Sequence, residues 1–257
     1  MNFNFPTEET IAAIASAIAP GQGGVAVIRI SGTSSRQITQ SITNIPGTQR
    51  WESHKILFGH VIDQKTKARI DEVLILIMNG PRSFTGEDVV EIHCHGGLIT
   101  VQRVLEQILN QPNVRRASPG EFSQRAVLNG RLNLTQAEAI NDLISAKSKK
   151  AAQLAMAGID GGISLKISTL KNKLLDLLSE IEARIDFEED LPRLDKSKLI
   201  EGLEQINKQL KQLIVNAKQA CLIKKGLKVA LIGLPNVGKS SLMNLLSKQE
   251  KAIVTEV

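Results

Sequence analysis

Apolar and polar positions along this chain fall into three successive rhythms. Up to about residue 120 the pattern alternates between strand and helix. Val25–Ser31 is a β-branched run behind a Gly-rich turn at 21–24, and 56–63, 73–79 and 88–95 are further Val/Ile-rich runs; all four are predicted strands. Residues 97–109 carry Val101, Val104, Leu105 and Ile108 on one stripe and are predicted as a helix. Ser118-Pro119-Gly120-Glu121 predicts a helix start, with Ser118 as cap, Pro119 in the first helical position and Glu121 closing a capping box. Asn129-Gly130 predicts the end of that helix, and Thr135 with Glu138 predicts a second capping box.

From there to about residue 225 the rhythm is helical. Leu170, Leu174, Leu177, Leu178, Ile181 and Ile185 form one apolar stripe; Leu199, Leu203, Ile206, Leu210, Leu213 and Ile214 form another. Two long amphipathic helices, joined through 186–196 with Pro192 and the acidic Glu188, Glu189 and Asp190, are expected to pack antiparallel. Gly158, Gly161 and Gly162 argue against an unbroken helix before them. At Leu227 the rhythm changes again: 229–232 is predicted as a short buried strand with a Gly-rich loop behind it. The expected fold is therefore α+β over 1–120, all-α over 121–225, and over 226–257 the first strand, loop and helix of an α/β domain.

That loop carries the sharpest chemistry. Gly233-Leu-Pro-Asn-Val-Gly238-Lys239-Ser240 matches G-x-x-x-x-G-K-[ST], between a strand pattern and a helix pattern that runs through Leu246. Glycines let backbone N–H groups curl around phosphate oxygens, and the following helix points its positive end at the same anion. Lys239 supplies a cation for the outer phosphates and Ser240 a hydroxyl for Mg²⁺. The loop alone specifies neither the base nor the reaction. A switch threonine, an Asp-containing Mg²⁺ strand and an Asn-Lys-x-Asp do not follow within the 257 residues, so the chain by itself is expected not to hydrolyse GTP, and no catalytic residue is identified in it.

A second feature lies in the strand at 88–95. Val90, Ile92 and Cys94 fall on one side, the expected core, and Val89, Glu91, His93 and His95 on the other. The latter is either an ordinary solvated face or a ligand surface. His93 and His95 share a side, but no third metal ligand lies near them in sequence. Arg29 interrupts an apolar strand, a placement that calls for a sheet edge or an anionic partner.

Composition changes this picture little. With 42% hydrophobic and 23% charged residues, the chain has the make-up of a soluble globular protein of about two domains. It has neither a membrane-spanning apolar run nor a basic, apolar secretory start. Cys94 and Cys221 are far apart and form no metal or disulfide spacing, which suits a reducing cytoplasm. The net charge of +6, with Lys147, Lys149, Lys150, Lys166, Lys171 and Lys173 on predicted helices, fits either a solvated face or an RNA partner.

Four segments, in order and spacing, resemble the MnmE (TrmE) family of tRNA-modification GTPases. They are 21–32 (GQGGVAVIRISG), 84–97 (FTGEDVVEIHCHGG), 119–134 (PGEFSQRAVLNGRLNL) with 136–139 (QAEA), and the loop at 233–241; Ile185-Asp186-Phe187 also fits. The resemblance implies an N-terminal domain like the folate-binding domain of the glycine-cleavage T-protein, which dimerises and binds a 5-formyltetrahydrofolate-type donor. It carries folate contacts onto Arg29, Glu91 and Arg131, the last standing where the family usually has Lys. Arg29 and Arg131 would pair with carboxylates or carbonyls, and Glu91 would accept from pterin N–H groups. The resemblance also places GTP or GDP on Asn236, Val237, Gly238, Lys239, Ser240, Ser241, Thr255, Glu256 and Val257. It places Mg²⁺ on Ser240 and K⁺ on Asn236, Thr255 and Val257. It implies a cytoplasmic homodimer that acts with MnmG (GidA) on tRNA, away from membranes. There, GTP hydrolysis drives an aminomethyl-type modification, such as carboxymethylaminomethyl, at carbon 5 of the wobble uridine. The family's C-terminal cysteine motif is absent, and Cys221 does not belong to it. The other expectation is a folate-binding dimeric module without GTPase activity.

Overall fold

A computed structural model describes residues 9–18, 23–187, 192–226, 230–234 and 237–247. The chain divides into two compact units, Met1–Ile140 and Asn141–Val257.

In the first unit the β-branched runs assemble one sheet. β1 (Thr10–Ile14), β2 (Val25–Ser31), β3 (Thr43–Asn44), β4 (Ile56–Ile62), β5 (Arg69–Met78), β6 (Val89–His95) and β7 (Val114–Arg116) lie in the order β3-β4-β5-β6-β2-β1-β7. Every pairing is antiparallel except β1 with β7. The helices α1 (Ser35–Ile42) and α2 (Leu98–Leu109) supply the apolar stripes that cover one face. Ile38 and Ile42 of α1 and Val101, Val104, Leu105 and Ile108 of α2 are buried with Ile28, Ile30, Ile75, Ile77 and Ile92 of the sheet. Side chains alternate across a strand, so Arg29 and Glu91, between these core residues in sequence, face the other way.

Four predicted strands and the helix at 97–109 are present, with ends within a few residues. Strands β1, β3 and β7 and helix α1 were not anticipated: the three strands are short, and the β1–β7 pairing is long-range. Val89 was expected on the open face; it is buried there, opposite Ser31.

Helix α3 (Glu121–Leu128) starts two residues later than its motif predicts. Gly120 occupies the cap position in a left-handed conformation (φ 79°), and Ser118 does not cap. The Glu121 N–H donates to the Ser118 backbone carbonyl (3.0 Å) and not to its hydroxyl. Arg115 draws in the Glu121 carboxylate, which also accepts the Ser118 N–H at 2.7 Å, and 118–121 closes into a turn. The helix ends at Asn129-Gly130 as predicted, Gly130 taking φ 69°. At α4 (Leu134–Ile144) the capping box sits two residues earlier than expected: Gln136 N–H donates to Asn133 Oδ1 (2.8 Å) and Asn133 N–H to Gln136 Oε1 (3.0 Å). Asn is the stronger cap, and Thr135 spends its hydroxyl on Asn133 Oδ1 at 2.7 Å.

The second unit contains α5 (Lys149–Ile159), α6 (Gly162–Asp186), α7 (Lys196–Lys225) and α8 (Lys239–Ser247). Ser148 caps α5 and Asp195 caps α7, and left-handed Gly161 breaks α5 from α6, as the glycines foretold. Helices α6 and α7 run antiparallel: the Arg184 side chain donates to the Pro192 carbonyl, Leu177 lies against Gly202, and 165–170 flanks 209–216. Among the described residues no helix is long and apolar enough to cross a membrane. The strand predicted at 229–232 is not borne out for its described part: residues 230–234 form no strand, and Val229 lies outside the described residues. A strand exists only against a neighbour, and no other strand is described in this unit.

Candidate functional site

The open face of the first unit gathers the charged residues that the alternation placed there. Arg29 sits directly across the β2–β6 ladder from Glu91. Its Nε and Nη2 both lie 2.8 Å from Glu91 Oε1, and the pair is mostly shielded from water, with side chains 23% and 14% exposed. A cation on a central strand thus has the anionic partner that its placement demanded.

Two rings lie against the guanidinium. Arg29 Cζ is 4.8 Å from the centroid of Phe84, in the loop before β6, and 5.5 Å from that of Phe122, on α3. Both distances suit cation–π attraction. His93 stands two residues along β6. Its Nε2 is shut off from solvent, has no hydrogen-bond partner, and lies 3.5 Å from Glu91 Oε2 without the alignment of a hydrogen bond. His95 is committed elsewhere: Asp71 accepts from its backbone N–H at 2.8 Å and meets Nδ1 at 2.7 Å. Among the described residues no three metal-ligating side chains come together. Cys94 points into the core, where burial first and the Asp71 charge second push its thiol up to about 11.

A buried ionic network lies on the same face, two residues along β2. Arg125 of α3 donates from Nη1 to both Glu87 oxygens (3.2 and 3.1 Å) and from Nη2 to the Glu9 carbonyl (2.8 Å). Ser31 donates to Glu87 Oε2 at 2.7 Å and meets the Thr85 hydroxyl at 2.7 Å. Glu121 takes a two-pronged grip from Arg115 (2.9 and 2.6 Å), which first among several causes holds its carboxyl down to about 2. Asn129 donates to the Thr85 carbonyl at 2.8 Å. α3 is thereby tied to the 83–88 loop and to the sheet.

Of the three residues expected to contact folate, the structure brings Arg29 and Glu91 together. Arg131 lies just beyond α3, exposed, its side chain making no hydrogen bond or ion pair with another described residue. Sequence reasoning missed Phe84, Phe122, Glu87 and Arg125. All four lie inside the segments quoted for the family, yet nothing in their spacing shows that they converge.

In the phosphate loop, Gly238 takes φ +83° immediately before α8, and Lys239 Nζ folds back onto the carbonyls of Gly233 (2.9 Å) and Leu234. Lys239, Ser240 and Ser241 form the first turn of α8, with Val237 and Gly238 before it. Asn236, Thr255, Glu256 and Val257 lie outside the described residues.

Two family models account for nearly the whole chain. Residues 10–131 match the GTP-binding protein TrmE N-terminus and residues 134–256 the MnmE helical domain. Among curated relatives, a Prochlorococcus marinus protein named tRNA modification GTPase MnmE is 68% identical over all 257 residues, which make up 56% of its own length. A second from that species is 61% identical over the whole chain and 55% of its own length. A Synechococcus sp. protein of the same name is 62% identical over 97% of the chain and 54% of its own length. The chain spans about half the length of the curated relatives it matches. With both domain models in sequence and such identity over the full chain, the protein belongs to the MnmE (TrmE) family of tRNA-modification GTPases.

Proposed function

We propose that this chain is the one-carbon-binding and helical portion of a GTPase that modifies tRNA, and that the Arg29–Glu91 pair binds a 5-formyltetrahydrofolate-type donor. The observation that carries this reading is the Arg29 guanidinium paired with Glu91 and within cation–π reach of two phenyl rings, beside a His93 Nε2 that has no partner. Such a site offers what a folate needs. Arg29 keeps N–H groups beyond those spent on Glu91, suited to carbonyls or carboxylates. Glu91 Oε2 remains an acceptor for pterin N–H groups, and the rings give an apolar border for a conjugated plane. Arg131, exposed past the end of α3, supplies a further cation for the ligand's carboxylates.

In the whole protein, 226–257 begins the GTPase domain. The left-handed Gly238 ahead of α8 supports a phosphate cradle on Val237–Ser241. Ser240 would hold Mg²⁺, which neutralises phosphate charge, and Asn236, Thr255 and Val257 are assigned to K⁺ by family resemblance alone. The protein acts as a cytoplasmic homodimer joined through its N-terminal domain. With MnmG it uses the folate and GTP hydrolysis to modify carbon 5 of wobble uridine in tRNA. The chain of 257 residues alone turns over no GTP.

Titration calorimetry with 5-formyltetrahydrofolate tests the site. Arg29→Ala and Glu91→Ala should each weaken binding about tenfold or more, the usual cost of removing one partner of a shielded charge-assisted pair. Unchanged affinity in both would remove the assignment. Phosphate release from GTP should stay at the buffer rate; turnover that Lys239→Ala abolishes would contradict the proposal of an inactive chain.

A further inference from the structure

Arg29 is held from three directions, and only one of them is the sheet. The ladder partner Glu91 takes Nε and Nη2. The other two directions are Phe84 and Phe122, which arrive on separate elements, so each element must itself be fixed for the rings to stay in place. Arg125 fixes both. It lies three residues, about one helical turn, beyond Phe122 on α3. Its Nη1 grips Glu87, and Glu87 is tied through Ser31 to Thr85, the neighbour of Phe84. Its Nη2 reaches the Glu9 carbonyl at 2.8 Å. Ser31 lies on the same strand face as Arg29, two residues on.

Stability alone gives a poor reason for this arrangement. The side chains of Arg125 and Glu87 are 9% and 16% exposed, and an apolar pair of similar volume often stabilises as much as a buried ion pair. What the planar fork of an arginine adds is direction. We propose that Phe84 and Phe122 are positioning residues of the folate site, holding the Arg29 guanidinium at one tilt, and that the buried Arg125–Glu87 pair sets both rings. This rests on the folate reading above and extends it from ligand contacts to the residues that aim them.

The test uses the full chain and two readouts. The first is the affinity for 5-formyltetrahydrofolate. Phe84→Leu and Phe122→Leu keep apolar bulk and lose the ring face; each should weaken binding three- to tenfold, the range of a partly desolvated cation–π contact. Phe122→Tyr should restore affinity to within about twofold, because the face returns. Arg125→Lys keeps the charge without the fork and should cost about tenfold. Ile77→Val, in the opposite-face core, should lower the melting temperature yet leave affinity unchanged. In Arg29→Gln, Phe122→Leu should add less than twofold, since its effect passes through Arg29. Equal affinity for wild type and both ring variants would overturn the proposal, as would full additivity with Arg29→Gln or the same loss from Ile77→Val.

The second readout needs no ligand: the Arg29 Nε–H resonance by NMR. It should be sharp and ring-shifted in the wild type and broadened or displaced in Phe122→Leu and Arg125→Lys. An unchanged signal would also overturn the proposal. If the wild type fails to bind the folate while this signal responds, the folate reading falls and the positioning role stands.

Discussion

The two units of this chain solve the problem of apolar surface differently. In the first, one face of a seven-stranded sheet is closed by α1 and α2, and Ile28, Ile30, Ile42, Ile75, Ile92 and Ile108 are all inaccessible to solvent. In the second, two helices of 25 and 30 residues carry clear apolar stripes, yet among their described residues only Leu170 of α6 and Ile206 of α7 are buried. Leu165 is 71% exposed and Ile185 72%. Periodicity is therefore enough to make a helix amphipathic, but burial needs a second surface of matching area. A sheet with its two covering helices contains that surface; an antiparallel helix pair contains only part of it.

The largest consequence is a difference in local opening. Backbone amides of β2 and β6 should exchange with solvent on the order of a thousandfold more slowly than those of α6 and α7, by hydrogen exchange with mass spectrometry. The two cysteines report the same contrast chemically. Cys94 is 2% exposed with its thiol pushed up to about 11, mainly by burial, whereas Cys221 is exposed on α7. At neutral pH an aromatic disulfide reagent should modify Cys221 promptly and Cys94 only as fast as the first unit opens. Equal rates at the two thiols would break the comparison.

Single-residue truncations should sharpen it. Ile92→Ala removes a fully buried side chain between β5 and β2 and should cost about 2–5 kcal/mol in chemical denaturation. Leu174→Ala, from a residue 41% exposed on α6, should cost under about 1 kcal/mol. A cost at Leu174 as large as that at Ile92 would mean that a surface outside the described residues covers the α6 stripe in solution.

The same contrast explains what could be read from the sequence. The long stripes, the Val/Ile runs and the open face of β6 are periodic signals, and each maps onto an observed element. Arg29 was visible as an anomaly because a charge in an apolar strand demands a partner, and Glu91 was visible as a carboxylate on the facing alternation. That they sit opposite one another is a matter of register, which neither strand states by itself. The aromatic contacts to Arg29 and the Arg125 network join residues 38 to 116 positions apart, so no local pattern holds them. The motif at 118–121 was half legible: the Glu121 carboxylate accepts the Ser118 N–H as a capping box requires, but the Glu121 N–H donates to the Ser118 backbone carbonyl and not to its hydroxyl, so a turn precedes the helix. The strand expected at 229–232 is missing over its described part, 230–232, where the apolar run has no described neighbour to pair with.

A further predicted effect concerns acid. Glu121 is nearly buried, and its carboxyl is held down to about 2, first by the Arg115 side chain and then by the Ser118 N–H and the charges of Arg115 and Arg125, against an opposing push from burial. A carboxyl whose folded pKa lies below its unfolded value binds fewer protons folded than unfolded. Its stabilising contribution is therefore complete above the ordinary Glu range and is lost as pH falls toward 2. The contribution is on the order of 2 kcal/mol, less than the bare shift converts to, because Arg115 remains partly exposed to water. Denaturation midpoints of the first unit should fall between pH 4.5 and 2, and Glu121→Gln should flatten that fall while lowering stability at pH 7. Ser148 caps α5 and Asp195 caps α7 in the second unit, and no buried ionic network is described there, so its acid response should not change with this substitution. A Glu121→Gln variant that kept the wild-type slope through this range would show that the Arg115–Glu121 grip, though tight in geometry, does not couple α3 to the sheet.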